Sequence, residues 1–395
     1  IWLKLPQAKN KTYFRAQSSA GFKAQDLINW QSQIAAQLLI QNAPSDWQSE
    51  QLDDWKKQHK VNLFLNQNAT TLTFDGSTEN ENLAQLLRLY YAYQLETNIK
   101  QGLDDSKESL LRTINLQHEK NDDRERLKAL SKLRYGVESI DYLPTQDELN
   151  DLSEQELDQQ WRKMSVAPTT FFIVNDMDAE DVKKTVRRYL AAIPRTKTLD
   201  STHILPTTGK DSVRFPMNLE PKDDVRIWFF TPHQWQGKDA LSVSILRNIV
   251  ANKLKLSLRD EHLGIYSLRF DSTLNPETQR IESELSFASN PAMTEKLIQQ
   301  AHLVLQALPQ QISEEDVKQA KNQFIQAEKQ RLEQPDVWLN RLVLSENHFA
   351  DPRYLSDMRS LHDGITLENI RGMAANIYHA ENQKVFITTP KENVQ

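Results

Sequence analysis

The sequence predicts an α+β protein of two tandem homologous units, each a mostly antiparallel sheet packed with helices. Three observations carry this. Short alternating apolar runs stand in pairs, separated by longer stretches with apolar residues at helical spacing. The order strand pair, helix, strand pair, helix run, final strand occurs twice. Apolar residues also recur at one offset: Leu72 and Leu285 are 213 apart (285 − 72), as are Phe74 and Phe287, Leu157 and Ile370, and Phe172 and Val385. The segment Leu152-Ser153-Glu154-Gln155-Glu156-Leu157 lies over Ile365-Thr366-Leu367-Glu368-Asn369-Ile370 in that frame. Chance likeness of two amphipathic patterns is the alternative, and four matches spread over most of a unit argue against it. The first unit is read as residues 1–200 and the second as 201–395.

In order, residues 1–5 and 12–17 read as strands joined by a polar turn around Lys9-Asn10-Lys11. Asp26 to Gln41 places Leu27, Ile28, Ile34, Ala35, Leu38 and Leu39 on one helical stripe. Pro44-Ser45-Asp46 restarts a helix carrying Trp47, Leu52 and Trp55. Val61 to Leu65 and Thr70 to Asp75 read as strands. Asn80 to Ile99 is a helix with Leu83, Leu86, Leu87, Tyr90, Tyr91 and Leu95 at helical spacing. Ser106 to Leu133 reads as one or two polar helices ended by Tyr142-Leu143-Pro144. Thr145 to Met164 reads as a helix and Thr169 to Val174 as a buried strand. Asp178 and Asp181 are placed to cap a helix running to Ala192. Arg195 to Asp211 is the linker candidate. Beyond it, strands fall at 213–217 and 225–231, a helix at 237–257, strands at 264–272 and 279–288, helices from Pro291 to Ile377, and a last strand at 383–388.

At 395 residues the chain is comfortable for two domains. A formal net charge of −6, with both signs interspersed and no basic block, gives no sign of a nucleic-acid partner. There is no cysteine, which rules out disulfides, thiolate zinc sites and a cysteine nucleophile. No apolar run approaches the ~20 residues of a membrane span. The chain opens on Ile1-Trp2-Leu3-Lys4-Leu5 without an initiator Met, so it is read as a piece of a longer polypeptide, and a missing leader says little about location.

None of the nine histidines forms an i, i+4 pair with a Glu between. No Gly-rich phosphate loop or Gly-x-Ser-x-Gly elbow is present, and Ser18-Ser19-Ala20-Gly21 reads as a turn or strand end. Glu314-Glu315-Asp316 falls at a helix start, where carboxylates complement the dipole. What remains is Leu258-Arg259-Asp260-Glu261-His262-Leu263-Gly264-Ile265-Tyr266-Ser267: a helix end, a turn at Gly264, then a strand. Two readings of it stand on local sequence. Arg259 caps a helix C-terminus while Tyr266 packs in a sheet, or the guanidinium and phenol both reach one carbonyl or carboxylate of a bound peptide.

That stretch also carries a resemblance. It matches the Leu-Arg-x-x-x-x-Gly-x-x-Tyr-Ser pattern of pitrilysin/insulinase-family zinc peptidases, the group with the inverted His-x-x-Glu-His motif. Asp151 to Pro194 and Asn62 to Tyr93 resemble further blocks of the same family, and the likeness spans essentially the whole chain. It implies that this is the C-terminal, non-zinc half of such an enzyme. An N-terminal half of the same polypeptide would be its partner, binding the zinc and facing this half like a clamshell. Arg259 and Tyr266 would be the site residues, held toward a peptide or small-protein substrate. The zinc would belong to the full-length enzyme alone: Asn29, Trp30, Gln31, Ser32, Gln33 and Ile34 stand where an active half carries its motif, and Glu108 stands alone in the region of the third ligand. The resemblance implies a periplasmic location, with a cytoplasmic one as the alternative. A non-catalytic structural or peptide-binding subunit on the same scaffold is the competing function.

Overall fold

A computed structural model describes all residues except 120, 139–143, 197, 202–203, 262–264, 352–354, 356–360 and 392–395; the side chains of 117–121 and 259–261 also lie outside the described set. The first sheet holds β1 (Trp2–Lys4), β2 (Lys11–Ser18), β3 (Asn62–Gln67), β4 (Leu72–Glu79) and β5 (Thr169–Asn175), in the order β1-β5-β2-β4-β3. The second holds β6 (Asp211–Asn218), β7 (Asp223–Pro232), β8 (Ile265–Asn275), β9 (Arg280–Ser289) and β10 (Gln383–Pro390), in the order β6-β10-β7-β9-β8. Adding five to each label of the first order gives the second. In each sheet the last strand runs parallel to the first, and the other three pairings are antiparallel. The protein is α+β, and the two sheets share one topology.

Helices cover one face of each sheet. In the first unit, α1 (Asn29–Gln41) and α3 (Leu83–Leu95) bring Leu38, Leu39, Leu86, Leu87, Tyr90 and Tyr93 against Phe14 and Phe74. Tyr90 sits edge-on to Phe14, Phe74 and Phe171 at centroid distances of 5.3, 5.1 and 5.7 Å. These are favourable quadrupole geometries, each adding about 1 kcal/mol to the area the rings bury. In the second unit, α9 (Gly237–Lys255) is buried along Val243, Leu246, Val250 and Leu254 and packs with Ile227, Phe229, Leu285 and Val385.

β1 and β2 are not neighbours, because β5 enters between them. Asn175 at its end is fully buried and explains the join: its Oδ1 accepts from Trp2 Nε1 at 2.9 Å, and its Nδ2 donates to Thr12 Oγ1 at 3.1 Å. One amide therefore ties three strands with both of its polar atoms satisfied.

The repeated caps agree in detail. Ser153 and Thr366 are the N-caps of α7 (Glu154–Ser165) and α13 (Leu367–Ala374), accepting from Glu156 N and Asn369 N. Leu152 and Ile365 precede the caps, Leu157 and Ile370 follow four residues after them, and all four are buried. That is a capping residue with a hydrophobic staple, written twice. The 213-residue spacing does not persist through the sheets, however. Phe14 lies opposite Gly76 and Ile173, which are 97 residues apart (173 − 76). Ile227 lies opposite Leu285 and Val385, 100 apart (385 − 285). Three residues separate the copies between these strands.

Some elements differ from the sequence expectation. Thr145 to Met164 is two helices, α6 (Gln146–Asp151) and α7, because Ser153 caps afresh. Asp178 occupies the N-cap of α8 (Ala179–Tyr189) without bonding its backbone; its carboxylate accepts from Lys4 Nζ at 2.8 Å instead. The expected stop at Tyr142-Leu143 lies outside the described residues.

By contact the chain forms two compact units. One comprises residues 1–119, 141–203 and 331–347, the other 120–140, 204–330 and 348–395. Each unit thus includes a segment from within the other's sequence span. In the first, α12 (Pro335–Phe349) supplies Asn340, whose Oδ1 accepts from Arg15 Nη1 at 2.9 Å. In the second, α5 (Asn121–Tyr135) supplies Leu133, buried with Trp228 and Phe386 on the sheet face opposite the α9 core.

Candidate functional site

The Arg259–Tyr266 stretch is built by a helix that ends irregularly and a strand that begins irregularly. After Lys255 the helix widens into a π-turn over Leu256–Glu261. Leu258, fully buried, anchors the turn in the core, and Gln300 Nε2 donates to Ser257 Oγ at 3.0 Å from α10 (Thr294–Gln311). Arg259 is within this turn; its side chain, and His262, Leu263 and Gly264, lie outside the described residues. The expected turn at Gly264 lies outside them as well.

Tyr266 is described. It is the second residue of β8, the edge strand of its sheet. Ile265 lies opposite Ser289 and Ser267 opposite Ala288, so two residues advance on β8 for one on β9. Tyr266 occupies this bulge. Its effect is a change of phase. Phe270, Ser272 and Leu274 are buried, and strict alternation would send Tyr266 inward with them. The bulge instead lets Ile265 enter the core at 9% exposure, while Tyr266 is turned out at 66%. Bulges re-aim a side chain in this way without interrupting the strand. The reading of Tyr266 as a packed sheet aromatic does not match this exposure.

Two further charged groups stand on the same strand. Arg269 Nη2 donates to Asp271 Oδ2 at 3.3 Å, and Arg247 Nη1 on α9 donates to Asp271 Oδ1 at 3.2 Å. Burial alone would raise the Asp271 carboxyl. The bonds and charge of Arg247, the bond from Arg269 and that from the Ser272 amide outweigh burial and hold it below the ordinary carboxylate range. Sequence reasoning missed this cluster. Its signal was the i, i+2 spacing of Arg269 and Asp271, which places both on one face of the strand.

The helix that would carry a metal motif has no ligands. Gln31 and Ser32 on α1 are buried: Gln31 Oε1 accepts from Gln160 Nε2 at 3.4 Å, and Ser32 Oγ donates to Asn29 O at 2.8 Å. Glu108 is exposed and paired with Arg112. Among the described residues no group of three His, Asp or Glu could hold a metal ion. Several histidines are engaged elsewhere: His233 with Asp239 at 2.9 Å, His348 stacked on Trp235 at 4.0 Å, and His59 against Trp55 at 4.8 Å. The side chains of α1 do not fit zinc. Also among the described residues, no helix is long and apolar enough to cross a membrane.

Comparison with known proteins gives a consistent picture. Residues 151–324 match the family described as peptidase M16 inactive domain. Over 186 residues, 45% of this chain, the sequence is 32% identical to the probable zinc protease PqqL of Haemophilus influenzae, covering 20% of that protein. Among solved structures, a mutant of the ferredoxin protease FusC in complex with Arabidopsis ferredoxin matches 99% of this chain and 44% of its own, at 40% identity and a TM-score of 0.92. The periplasmic protease PqqL of Escherichia coli matches 98% of this chain and 44% of its own, at 16% identity and a TM-score of 0.88. The chain spans less than half the length of these relatives.

Proposed function

We propose that this chain, whose residues 151–324 match the peptidase M16 inactive domain, is the C-terminal half of a zinc metalloendopeptidase. In this reading it forms the wall of a proteolytic chamber whose metal is bound by an N-terminal half of the same polypeptide. Residues 1–200 and 201–395 are its two repeats. Arg259 and Tyr266 hold the substrate, the guanidinium and the phenol O–H each donating to a backbone carbonyl of the bound polypeptide. The observation that carries the reading is the bulge at Tyr266, which gives up a buried aromatic's packing to present a hydroxyl to solvent on an edge strand. The likeness to FusC, solved with a ferredoxin, supports a small protein as the substrate class. The periplasmic relative supports the same compartment for this protein.

The test is kinetic and uses the full-length enzyme. Arg259→Ala and Tyr266→Phe are each expected to lower kcat/KM by about 10²-fold, the usual cost of one preorganised donor. Stability should not move for Tyr266→Phe, because its ring is largely exposed. Normal turnover in both variants would overturn the assignment, leaving the non-catalytic scaffold as the function.

A further inference from the structure

The sequence of α8, Ala-Glu-Asp-Val-Lys-Lys-Thr-Val-Arg-Arg-Tyr, is sharply divided between two faces. Val182, Val186 and Tyr189, at i, i+4 and i+7, pack on the core of the first unit. Lys184, Arg187 and Arg188, at i, i+3 and i+4, share the exposed face. On the neighbouring α3, Arg88, Tyr91 and Leu95, at i, i+3 and i+7, lie along one side. That side meets α8: the Tyr91 and Tyr189 rings stand 65° apart with centroids at 6.5 Å, and the Arg188 guanidinium lies 5.4 Å from the Tyr189 centroid. The seam between the two helices is therefore floored by tyrosine and rimmed by cations.

These cations are not offset locally. The two carboxylates of α8, Glu180 and Asp181, stand in its first turn, where they complement the dipole, and Glu180 is taken by Lys183 at 3.6 Å. Among the described residues, no carboxylate lies within ion-pair distance of Arg88, Lys184, Arg187 or Arg188. The helix dipole accounts for a cation in the last turn of α8. It does not account for Arg88, midway along α3. α8 alone holds four cations against two carboxylates, on a chain whose formal net charge is −6. The charge of the whole chain repels an acidic partner, and this seam attracts one.

We propose that the α3–α8 seam docks a folded protein by its carboxylate-rich face, with the arginines forking onto carboxylates and Tyr91, Tyr189 and Leu95 supplying the apolar floor. The partner is folded rather than extended, because the backbone of both helices is bonded within the helix and offers nothing for a strand to pair with. It is a protein rather than a lipid surface, because cations attract a charged membrane only additively, whereas arginine beside tyrosine is where protein interfaces concentrate their energy. The proposal rests on the reading of this chain as half of a protease with a small-protein substrate, and names the surface chemistry of that substrate.

Binding to the 395-residue chain tests this without reference to cleavage. The probe is fluorescently labelled ubiquitin with its lysines succinylated, which exchanges cations for carboxylates on one fold; unmodified ubiquitin is the comparison. Anisotropy at low ionic strength should show the succinylated probe bound about tenfold tighter or more. Arg88→Ser, Lys184→Ser and Arg187→Ser together should weaken it by about tenfold or more. The control removes three charges elsewhere: Lys57→Ser on α2 (Ser49–Gln58), Lys132→Ser on α5 and Lys318→Ser on α11 (Glu314–Arg331). It should stay within about twofold of wild type. Equal weakening by both triple variants, no weakening by the first, or equal binding of the two probes would overturn the proposal. Phosphatidylglycerol vesicles that bind as tightly as the probe, and are lost with the first triple variant, would replace the protein partner by a lipid surface. Failure of the Tyr266 kinetics in the full enzyme would count against the chamber role instead and leave this binding result standing.

Discussion

Arg195 offers the most demanding stability test. Its guanidinium joins two helices of the first unit, α3 and α7: Nη1 donates to Gln94 Oε1 at 3.0 Å and to the Ser165 carbonyl, and Nη2 donates to Tyr90 OH at 2.9 Å. Tyr90 and Gln94 are 1% and 6% exposed. Arg195→Met keeps much of the stem and removes every donor, leaving three acceptors short of a partner. Each buried group so orphaned costs about 1–3 kcal/mol, and Arg195 lies near enough to solvent for water to recover part of it. The expected loss is therefore about 2–4 kcal/mol, against about 1–2 for Tyr90→Phe, with the double variant showing non-additive coupling. The pH dependence supplies a second reading. Burial raises the Tyr90 hydroxyl to about 12, while Arg195 acts in the opposite direction. The folded state holds this proton more tightly than the unfolded chain. Its contribution is complete below pH ~10 and is lost as pH rises toward 12, up to about 2–3 kcal/mol. Urea denaturation of the 395-residue chain at pH 8 and pH 11 measures both effects. Arg195→Met within 0.5 kcal/mol of wild type at pH 8, or an alkaline slope unchanged by Tyr90→Phe, would refute the account.

Other perturbations have equally definite outcomes. Ser153→Ala and Thr366→Ala should each cost about 1 kcal/mol in denaturation midpoint, the ordinary value of a lost N-cap, and a near-zero cost for both would contradict the repeated capping scheme. Gly21→Ala should destabilise by more than a cap does: its Cβ would stand 2.3 Å from the Thr70 carbonyl carbon, which is backbone and cannot swing aside, so a well-folded alanine variant would contradict that packing. His302 is kept neutral chiefly by burial and secondarily by Lys210, with its pKa below the ordinary value. Stability from this group is present above pH ~6.5 and is lost as pH falls below it, because the unfolded chain takes up the proton first. His302→Gln should flatten that acidic slope between pH 6.5 and 5; an unchanged slope would show that other groups set it.

The repeated plan was legible because it rests on local signals. Ser153 with Leu157 and Thr366 with Ile370 are cap-and-staple patterns that need no knowledge of the distant chain, and strand alternation along Leu72 to Phe74 and Leu285 to Phe287 is just as local. Sheet order was not legible. β5 enters between β1 and β2 through residues about 160–170 positions away, and nothing near Trp2 announces Asn175 as its partner. The bulge was hidden for a related reason. Ile265 and Tyr266 both suit a strand, and only the ladder against β9 decides which one turns inward. Arg195 read as linker because its value lies in three acceptors scattered from residue 90 to residue 165.

The traded helices α5 and α12 bear on how such a chain could have arisen. A solitary ancestral repeat would have had a sheet with a bare side and a helix with nowhere of its own to lie. Two identical molecules could have met both needs by lending that helix to each other, as swapped dimers do. Joining the genes end to end would then have replaced a concentration-dependent encounter with a tether. On this view, severing the polypeptide near residue 200 would not liberate two independent domains but two mutually dependent fragments.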